Sequence, residues 1–294
     1  MTQPPPLLRS VLYLPANRAS AVAKARRADC DAVILDLEDA VGPEAKDEAR
    51  DAAIAAASEG GFGERLLVVR ANGLDTQWGA ADLSALGKSS VTTVLLPKIS
   101  SADDVKTARD RLPEHITMWI MLETCAAFLD LPSIAHAAKD CDVRAFVLGT
   151  NDLALEMRCT LTSDRMSVLP LLTQAVVAAR THDIAAIDGV FNDLADEAGL
   201  ASECRQGAAL GFNGKTVIHP RQLTAANAAF GPSDAALGQA RSIAAAFAAP
   251  ENAGKGVIKH EGRMAELLHL REAERIIAQA EAIARRSAAA NTTD

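Results

Sequence analysis

Short apolar segments alternate along the chain with longer segments rich in alanine and charged residues. Eight of the apolar segments are predicted to be β-strands: VLYLP (11–15), AVILDL (32–37), LLVVR (66–70), TTVLLP (92–97), TMWIML (117–122), AFVLG (145–149), IAAID (184–188) and KTVIH (215–219). Most are nearly continuous runs of valine, isoleucine and leucine. Strands without polar alternation are typical of parallel sheets covered on both faces.

The segments between these strands have the composition of helices. Helices are predicted over 18–29, 43–58, 101–111, 130–139, 166–181 and 196–209. Eight strands that alternate with helices favour an α/β fold closed as a (β/α)8 TIM barrel. An open doubly wound sheet is the rival, but its glycine-rich first turn is missing, since the first β-α turn reads PANRAS.

A C-terminal extension follows the eighth strand. Residues 224–256 are rich in Ala, Gly and Pro, and a helix is predicted over 264–286, where Leu267, Leu270 and Ile277 recur at helical spacing. A complete barrel has no packing position for such a helix. We therefore expect a catalytic barrel domain at 1–223 and an extension at 224–294 that acts as an arm or lid and docks on another subunit.

Composition narrows the class of protein. The chain has 294 residues, is 49% hydrophobic and carries a net charge of −8. This charge argues against a nucleic-acid or anionic-membrane surface, which needs clustered Lys and Arg. The start MTQPPPLLRS does not resemble a signal peptide, and no apolar stretch approaches the ~20 residues of a membrane span. These features predict a soluble cytoplasmic α/β protein with no nucleic-acid or membrane partner.

Charged residues cluster at one end of the predicted strands. The carboxyl ends of barrel strands form the active-site face, and here they carry Asn17, Arg18, Asp36, Glu38, Asp39, Arg70, Asn72, Lys98, Glu123, Asn151, Asp152, Asp188 and His219. The opposite ends begin with Ala32, Thr92, Ala145 and Ile184. The sequence therefore predicts a ligand site at the carboxyl-end mouth.

Two of these carboxylates are candidates for a metal site. Glu123 directly follows a buried run, and the cost of desolvating its carboxylate calls for a partner. Glu123 and Asp152, with few imidazoles and no thiolate cluster nearby, suit Mg²⁺, which takes one or two protein carboxylates and keeps waters. Structural roles remain open: Asp152 as a helix N-cap, and Arg70 as an ion-pair partner of Glu38 or Asp39.

Seven motifs, in order, resemble the HpcH/HpaI aldolase and citrate lyase beta-subunit family, in its CitE-like acyl-CoA lyase branch. They are RSVLYLPAN (9–17), DAVILDLEDAV (31–41), VVRANG (68–73), LLPKI (95–99), MLET (121–124), LGTNDLA (148–154) and GFNGKTVIHPRQ (211–222). They run across nearly the whole chain. The family fold is a TIM barrel, in agreement with the strand count.

The resemblance implies a role for each matching residue. Glu123 and Asp152 would ligate Mg²⁺, and Arg70 would bind the substrate carboxylate or the enolate oxygen. Asp36, Glu38 and Asp39 would lie in the outer metal shell, and Asp36 is also a catalytic candidate. Contacts to the 2-oxo acid or to coenzyme A would come from Gly149, Thr150, Asn151, Arg9 and Lys98.

One position departs from the family pattern. The related CoA lyases carry Gly-x-Met-[Ile/Val]-Asp in the C-terminal arm, and this Asp is the acid/base supplied to a neighbouring subunit. The matching stretch here is GRMAE (262–266), so Glu266 replaces the Asp with a side chain one methylene longer. Because proton transfer depends on close geometry, this change puts the usual role in question.

The expected function is Mg²⁺-dependent cleavage of a 3-hydroxyacyl-CoA, of the malyl-CoA or citramalyl-CoA type, to acetyl-CoA and a 2-oxo acid. The family also favours a homo-oligomer, either a trimer or a hexamer. Four alternatives stay open: a malyl-CoA-type thioester hydrolase, a CoA-independent 2-oxo-acid aldolase, a citrate lyase beta subunit that acts on an acyl-carrier protein, and a non-catalytic paralogue.

Overall fold

The computed structural model describes residues 6–291, with side chains described through residue 288. Two compact units make up this range. One is Leu8–Phe230, and the other contains the described residues from 231 onward together with residues 6 and 7. The expected boundary lay at residue 223, but the helix Leu223–Phe230 packs against the barrel and belongs to the first unit.

Eight parallel strands close into a barrel in sequence order. Their bounds are β1 Ser10–Pro15, β2 Ala32–Asp36, β3 Leu66–Arg70, β4 Thr93–Leu96, β5 Thr117–Leu122, β6 Val143–Leu148, β7 Ala185–Asp188 and β8 Gly214–Val217. The predicted (β/α)8 fold is therefore confirmed, and each observed strand overlaps its predicted segment.

Helices follow the strands and form the outer layer of the barrel unit. They are α1 Ala19–Ala25, α2 Lys46–Glu59, α3 Gly79–Leu86, α4 Ala102–Arg111, α5 Cys125–Leu129, α6 Leu131–Asp140, α7 Thr150–Met157, α8 Leu169–Thr181, α9 Glu197–Leu210 and α10 Leu223–Phe230. The six predicted helices are present. The sequence analysis did not assign bounds to α3, α5, α7 and α10, which are short, at five to eight residues each.

The strands bury both faces, which explains their continuous apolar sequences. One core cluster lies between strands and helices. A second fills the barrel interior with alternate strand residues, among them Val11, Ala32, Ile34, Val68, Leu95, Trp119, Met121, Ala145, Val147 and Ile187. Successive side chains of a strand point to opposite faces. Asp36, Arg70 and Glu123 each follow an interior residue by two positions, so they form the next inward layer at the carboxyl end.

The C-terminal unit has its own secondary structure. Helix α11 (Asp234–Ala248) is followed by an antiparallel hairpin of β9 (Val257–His260) and β10 (Arg263–Glu266), and then by α12 (Leu267–Asn291). Glu261 and Gly262 at the hairpin turn both have positive φ, as a two-residue turn of this kind requires.

The Ala/Gly/Pro-rich stretch of this extension contains helices, because its many alanines outweigh a few breaking residues. The last helix begins at Leu267 and not at Met264, since Arg263–Glu266 pair with Val257–His260. Within residues 6–291, no helix combines the length and apolar character needed to cross a membrane.

Candidate active site at the carboxyl end of the barrel

Arg70 is held by an acidic loop at the end of β2. Asp36 and Arg70 are register partners on neighbouring strands. The guanidinium donates from Nε to Asp36 Oδ1 at 2.6 Å and from Nη2 to Asp36 Oδ2 at 2.7 Å. Nη1 lies 2.7 Å from Glu38 Oε2 and 3.3 Å from Asp39 Oδ2. Arg70 is thus fixed in one orientation by three carboxylates.

The loop that carries these acids is itself organised by Asp36. Its Oδ1 accepts the backbone N–H of Glu38 at 2.9 Å, and its Oδ2 accepts that of Ala40 at 3.0 Å. The Lys46 ammonium donates to the carbonyl oxygens of Leu37 and Glu38. Asp36 therefore joins the loop after β2 to the guanidinium at the end of β3.

Glu123 is fully buried immediately after β5. Its Oε1 accepts the backbone N–H of Lys98 at 2.7 Å and lies 3.7 Å from the Lys98 ammonium. Its Oε2 is buried without a hydrogen-bond partner. A Cβ at Gly149 would overlap that oxygen, so only glycine at this position leaves room for the Glu123 carboxylate.

Asp152 and Glu123 meet at a single cation. Asp152 lies in the first turn of α7, and its Oδ1 accepts a hydrogen bond from the Lys98 ammonium. Because the same ammonium also contacts Glu123, the two carboxylates share one rim of the barrel and lie close together. This is the juxtaposition that the strand-end pattern predicted for these two acids.

The charge balance of the mouth favours an additional cation. Five carboxylates, those of Asp36, Glu38, Asp39, Glu123 and Asp152, form ion pairs with two cationic side chains, Arg70 and Lys98. In the described part of the chain, no cluster of three or more His, Cys, Asp or Glu side chains is arranged to hold a metal. Two carboxylates with one unpartnered oxygen suit Mg²⁺, which completes its octahedron with water and substrate oxygens.

Burial and charge shift several pKa values here. Burial raises the pKa of the Glu38 carboxyl to about 8, against the opposing effect of the Arg70 guanidinium. Burial also raises the pKa of Glu123, although the Lys98 charge opposes this. For Lys98, burial alone lowers the pKa, but the hydrogen bond to Asp152 and the charge of Glu123 outweigh it and raise the pKa overall.

A cavity of about 300 Å³ opens beside these groups. It is lined by Tyr13, Asp36, Asp39, Ala40, Arg70, Met121, Leu148, Gly149, Thr150, Asn151, Asp152, Val190, Asn192, Thr216 and Ile218. Gly149 is the N-cap of α7, so Thr150 and Asn151 bring the unpaired N–H groups of a helix start to the cavity wall. Such a helix start stabilises an anionic group.

Tyr13 is a lining residue that sequence reasoning missed. It is the only tyrosine of the chain, and the Arg70 guanidinium carbon lies 5.0 Å from the centre of its ring. Its hydroxyl contacts the Met121 sulfur at 3.8 Å, a weak acceptor. Burial raises its pKa, so the phenol stays protonated. In the sequence, Tyr13 could be found only through its place in β1, two residues after Val11, once the structure shows that Val11 faces the barrel interior.

One expected site residue, Arg9, is not brought to this mouth. Arg9 precedes β1 at the opposite end of the barrel and pairs with Asp31 through Nε at 2.9 Å and Nη2 at 2.8 Å. Glu266 belongs to the C-terminal unit, where it ends β10 and its backbone N–H donates to His269 Nδ1 at 2.9 Å. Asn151 is at the mouth and exchanges side-chain hydrogen bonds with Asn192.

A buried ionic cluster supports the neighbouring strand ends. Asp188, at the end of β7, accepts bonds from Arg165 at 2.7 and 2.8 Å and from the Lys215 ammonium at 3.2 Å. Lys215 also donates to Glu203 at 2.6 Å. The charges balance inside the cluster, and Thr216 of the cavity wall is tied to it through the Asp188 carbonyl. Asp188 is therefore a structural support of the mouth.

Comparisons with known proteins agree with this architecture. A family model described as HpcH/HpaI aldolase/citrate lyase matches residues 9–220. A (3S)-malyl-CoA thioesterase from Cereibacter sphaeroides is 41% identical over 276 residues, covering 94% of this chain and 95% of that protein. An L-malyl-CoA/beta-methylmalyl-CoA lyase from Rhodobacter capsulatus is 33% identical over 313 aligned positions, covering 95% and 98%.

A solved structure is similar over nearly the full length. The crystal structure of CitE from Mycobacterium tuberculosis in complex with magnesium, acetoacetate and coenzyme A is 30% identical, with a TM-score of 0.76, covering 95% of this chain and 99% of that one. The family match, the barrel and the acidic mouth thus agree with the resemblance read from the motifs. The chain is an enzyme of the HpcH/HpaI aldolase/citrate lyase family.

Proposed function

We propose that this protein is a Mg²⁺-dependent lyase that cleaves a malyl-CoA-type 3-hydroxyacyl-CoA to acetyl-CoA and a 2-oxo acid. The observation that carries the proposal is the convergence of Glu123 and Asp152 on one cation beside Arg70. The names of the relatives support the substrate class, because they are a malyl-CoA thioesterase and a malyl-CoA lyase.

Glu123 and Asp152 would hold the metal ion. The fit rests on the unpartnered Glu123 Oε2 and on the excess of carboxylates at the mouth. The related CitE structure, which contains magnesium, supports the choice of ion. When bound there, Mg²⁺ supplies a Lewis acid that lowers the pKa of the substrate hydroxyl and favours the carbonyl that replaces it.

The rest of the chemistry falls to the chain's own side chains. In cleavage the substrate hydroxyl loses its proton to water, the bond from the carbinol carbon to the thioester α-carbon breaks, and the electron pair becomes an enolate. Arg70, buried and oriented by Asp36, offsets this negative charge. The N–H groups at Thr150 and Asn151 receive the substrate carboxylate.

Glu266 is proposed to complete the reaction as the proton donor to the enolate carbon. This role is carried over from the family motif, in which the arm of a neighbouring subunit supplies the acid. It implies a homo-oligomer, for which we propose a trimer or a hexamer. A glutamate and an aspartate have similar acidity, so the replacement changes the free energy of proton transfer little. Its main effect is on how far the carboxyl group extends toward the enolate carbon.

Thioester hydrolysis is the second candidate reaction. It is favoured by one specific observation: the thioesterase relative is 41% identical and the lyase relative 33% identical, both over nearly the whole chain. Hydrolysis breaks the carbon–sulfur bond with water and releases coenzyme A and a free hydroxy acid. The same bound substrate serves both reactions, so the products decide between them.

The test is a product analysis on three thioesters. The protein is incubated with Mg²⁺ and malyl-, citramalyl- or citryl-CoA, while free thiol, acetyl-CoA and 2-oxo acid are followed separately. A lyase yields acetyl-CoA and 2-oxo acid in equal amounts without thiol, whereas a hydrolase yields thiol without 2-oxo acid. Loss of turnover on adding EDTA, and in Glu123→Gln and Asp152→Asn, is expected in either case. Activity that survives in both variants would overturn the metal assignment.

A further inference from the structure

Lys98 occupies an unusual position at the end of β4. Its backbone adopts φ +56°, a left-handed conformation that non-glycine residues rarely take. In this conformation its N–H donates to Glu123 Oε1, while its ammonium reaches Glu123 and Asp152. Strained backbone at a ligand site is commonly retained because the site requires it.

The ammonium contacts the same two carboxylates that the proposed function assigns to Mg²⁺. The ammonium lies beside Glu123 Oε1 and Asp152 Oδ1, and a divalent ion held by the other oxygens of these two carboxylates would repel it at that short distance. The Lys98 side chain is one-third exposed, so it has somewhere to go when it leaves. Glu123 and Gly149 are buried and have no such freedom.

We infer that Lys98 is a built-in counter-ion of the metal site, and that Mg²⁺ binds by displacing its ammonium from Glu123 and Asp152. The inference rests on the proposed function, since it takes those two residues as the metal ligands. It adds that the chain carries its own competitor for the ion. Lys98 lowers the affinity for Mg²⁺ and stabilises the acidic mouth until the ion arrives.

The displacement has a consequence for substrate binding. Once released, the ammonium stands at the rim of a cavity that receives an acidic thioester, and it is no longer neutralised by two carboxylates. Metal binding therefore converts Lys98 from a partner of the protein's own acids into a cation available to the substrate. Metal before substrate becomes the favoured order of binding.

A static ion pair is the competing interpretation. If Lys98 keeps its contacts while Mg²⁺ binds elsewhere in the mouth, its removal still lessens charge repulsion at a distance, but its amine environment does not change on metal binding. The two interpretations therefore differ in the chemical accessibility of Lys98 with and without Mg²⁺.

The first experiment measures Mg²⁺ affinity by calorimetry on EDTA-stripped full-length protein. Lys98→Met is expected to bind Mg²⁺ about tenfold more tightly than wild type, and its melting temperature to rise more when Mg²⁺ is added. Lys98→Arg keeps the charge and is expected to stay within about threefold of wild type. Lys106→Met is the control, because Lys106 forms an exposed ion pair with Asp103 on α4, away from the mouth.

The second experiment reports displacement directly. Lysines are reductively methylated with and without Mg²⁺, and the rate at Lys98 is followed by mass spectrometry, with Lys106 in the same sample as the internal reference. Displacement predicts faster modification of Lys98 when Mg²⁺ is present. Equal or slower modification, or an unchanged affinity of Lys98→Met, overturns the inference.

Failure of the proposed function gives a different result. If Glu123→Gln and Asp152→Asn bind Mg²⁺ as tightly as wild type, these residues are not the ligands, and the metal site itself is wrong. If both variants lose the ion while Lys98→Met behaves as wild type, the metal site stands and only the role of Lys98 is wrong.

Discussion

Asp36 and Arg70 face each other across β2 and β3, and the guanidinium donates to both carboxylate oxygens at 2.6 and 2.7 Å. A second buried pair, Arg9 with Asp31, has nearly the same two-bond geometry at the other end of the barrel. The two pairs share their chemistry and their burial, and they differ in which end of the barrel they occupy. The Arg9–Asp31 pair can therefore serve as a control in experiments on the function of the Asp36–Arg70 pair.

We predict that Asp36→Asn lowers kcat/KM by about 100-fold, because a displaced Arg70 no longer meets the developing charge. The amide cannot accept both guanidinium bonds, so the orientation is lost even though Glu38 and Asp39 remain beside the guanidinium. The measurement is steady-state kinetics on malyl-CoA, together with a melting curve.

Asp31→Asn is the matched control for this variant. It breaks the corresponding pair at the opposite end, so it is expected to lower the melting temperature by a similar amount and to leave kcat within about twofold of wild type. If the two variants lose activity in parallel with stability, Asp36 acts only as a structural residue and its role in orienting Arg70 is wrong.

The sequence predicted that Arg70, Glu123 and Asp152 share one end of the barrel, because strand ends are local features. Glu123 ends an apolar run that can only be a buried strand, and in a parallel barrel all such ends share one face. That argument alone brings Glu123 and Arg70 to the same mouth. The strand-end argument did not identify Tyr13, because Tyr13 lies inside an apolar strand. The sequence does not show which face of the sheet such a residue occupies until the strand register is known.

Other features depended on contacts that no local pattern encodes. Lys98 was expected to contact substrate, and its pairing with two acids follows from a left-handed backbone that its sequence context does not signal. Arg9 was expected at the site from the motif it shares with the family. It precedes β1, so the strand direction already places it at the far end, a conclusion that the motif match obscured.

Gly149 offers a prediction about the space around the metal site. A Cβ there would overlap Glu123 Oε2 and Cβ, and Glu123, at 0% exposure, has no room to move away. We expect Gly149→Ala to weaken Mg²⁺ binding by at least about tenfold, because the carboxylate must rotate off its position. Calorimetric titration with Mg²⁺ measures the effect directly.

Gly42→Ala is the control for the loss of a glycine near the same face. Gly42 has φ −66°, which alanine adopts readily, and nothing lies within 4 Å of an added Cβ. Its Mg²⁺ affinity and activity should match wild type. If Gly149→Ala also binds Mg²⁺ as wild type does, Glu123 does not need its observed position to hold the ion.

Glu38 gives a prediction for the pH dependence of stability. Burial raises its pKa to about 8 in the folded protein, above the ordinary carboxyl value of 4.5. The fold therefore favours the protonated form, and the stability linked to this group is present below about pH 4.5 and is lost as the pH rises through about 8. Glu38→Gln cannot titrate, so this loss should be missing from its profile.

The measurement is urea unfolding of EDTA-treated protein between about pH 6 and pH 9, comparing wild type with Glu38→Gln. The difference in unfolding free energy should widen in favour of the variant as the pH rises. A difference that stays constant with pH means that the ion pair with Arg70 keeps the Glu38 carboxyl ionised throughout this range.

Glu266 gives a prediction about which subunit completes the site. If it donates the proton to the enolate, Glu266→Ala should lower kcat by about 100-fold or more, while Mg²⁺ affinity stays near that of wild type. Glu266→Asp should retain more activity than the alanine variant because the carboxyl group is kept. Kinetics of thioester cleavage and calorimetry with Mg²⁺ separate these two effects.

Co-expression of two inactive variants then tests whether Glu266 acts in a neighbouring subunit. Chains with Glu123→Gln lack the metal site but carry an intact arm, and chains with Glu266→Ala have the reverse defect. If the arm serves another copy of the barrel, random mixing pairs an intact metal site with an intact arm in about a quarter of sites, and activity returns to that fraction of wild type. If the arm serves its own chain, no site contains both residues. Mixed oligomers as inactive as their parents would therefore show that each chain completes its own site, or that Glu266 takes no part.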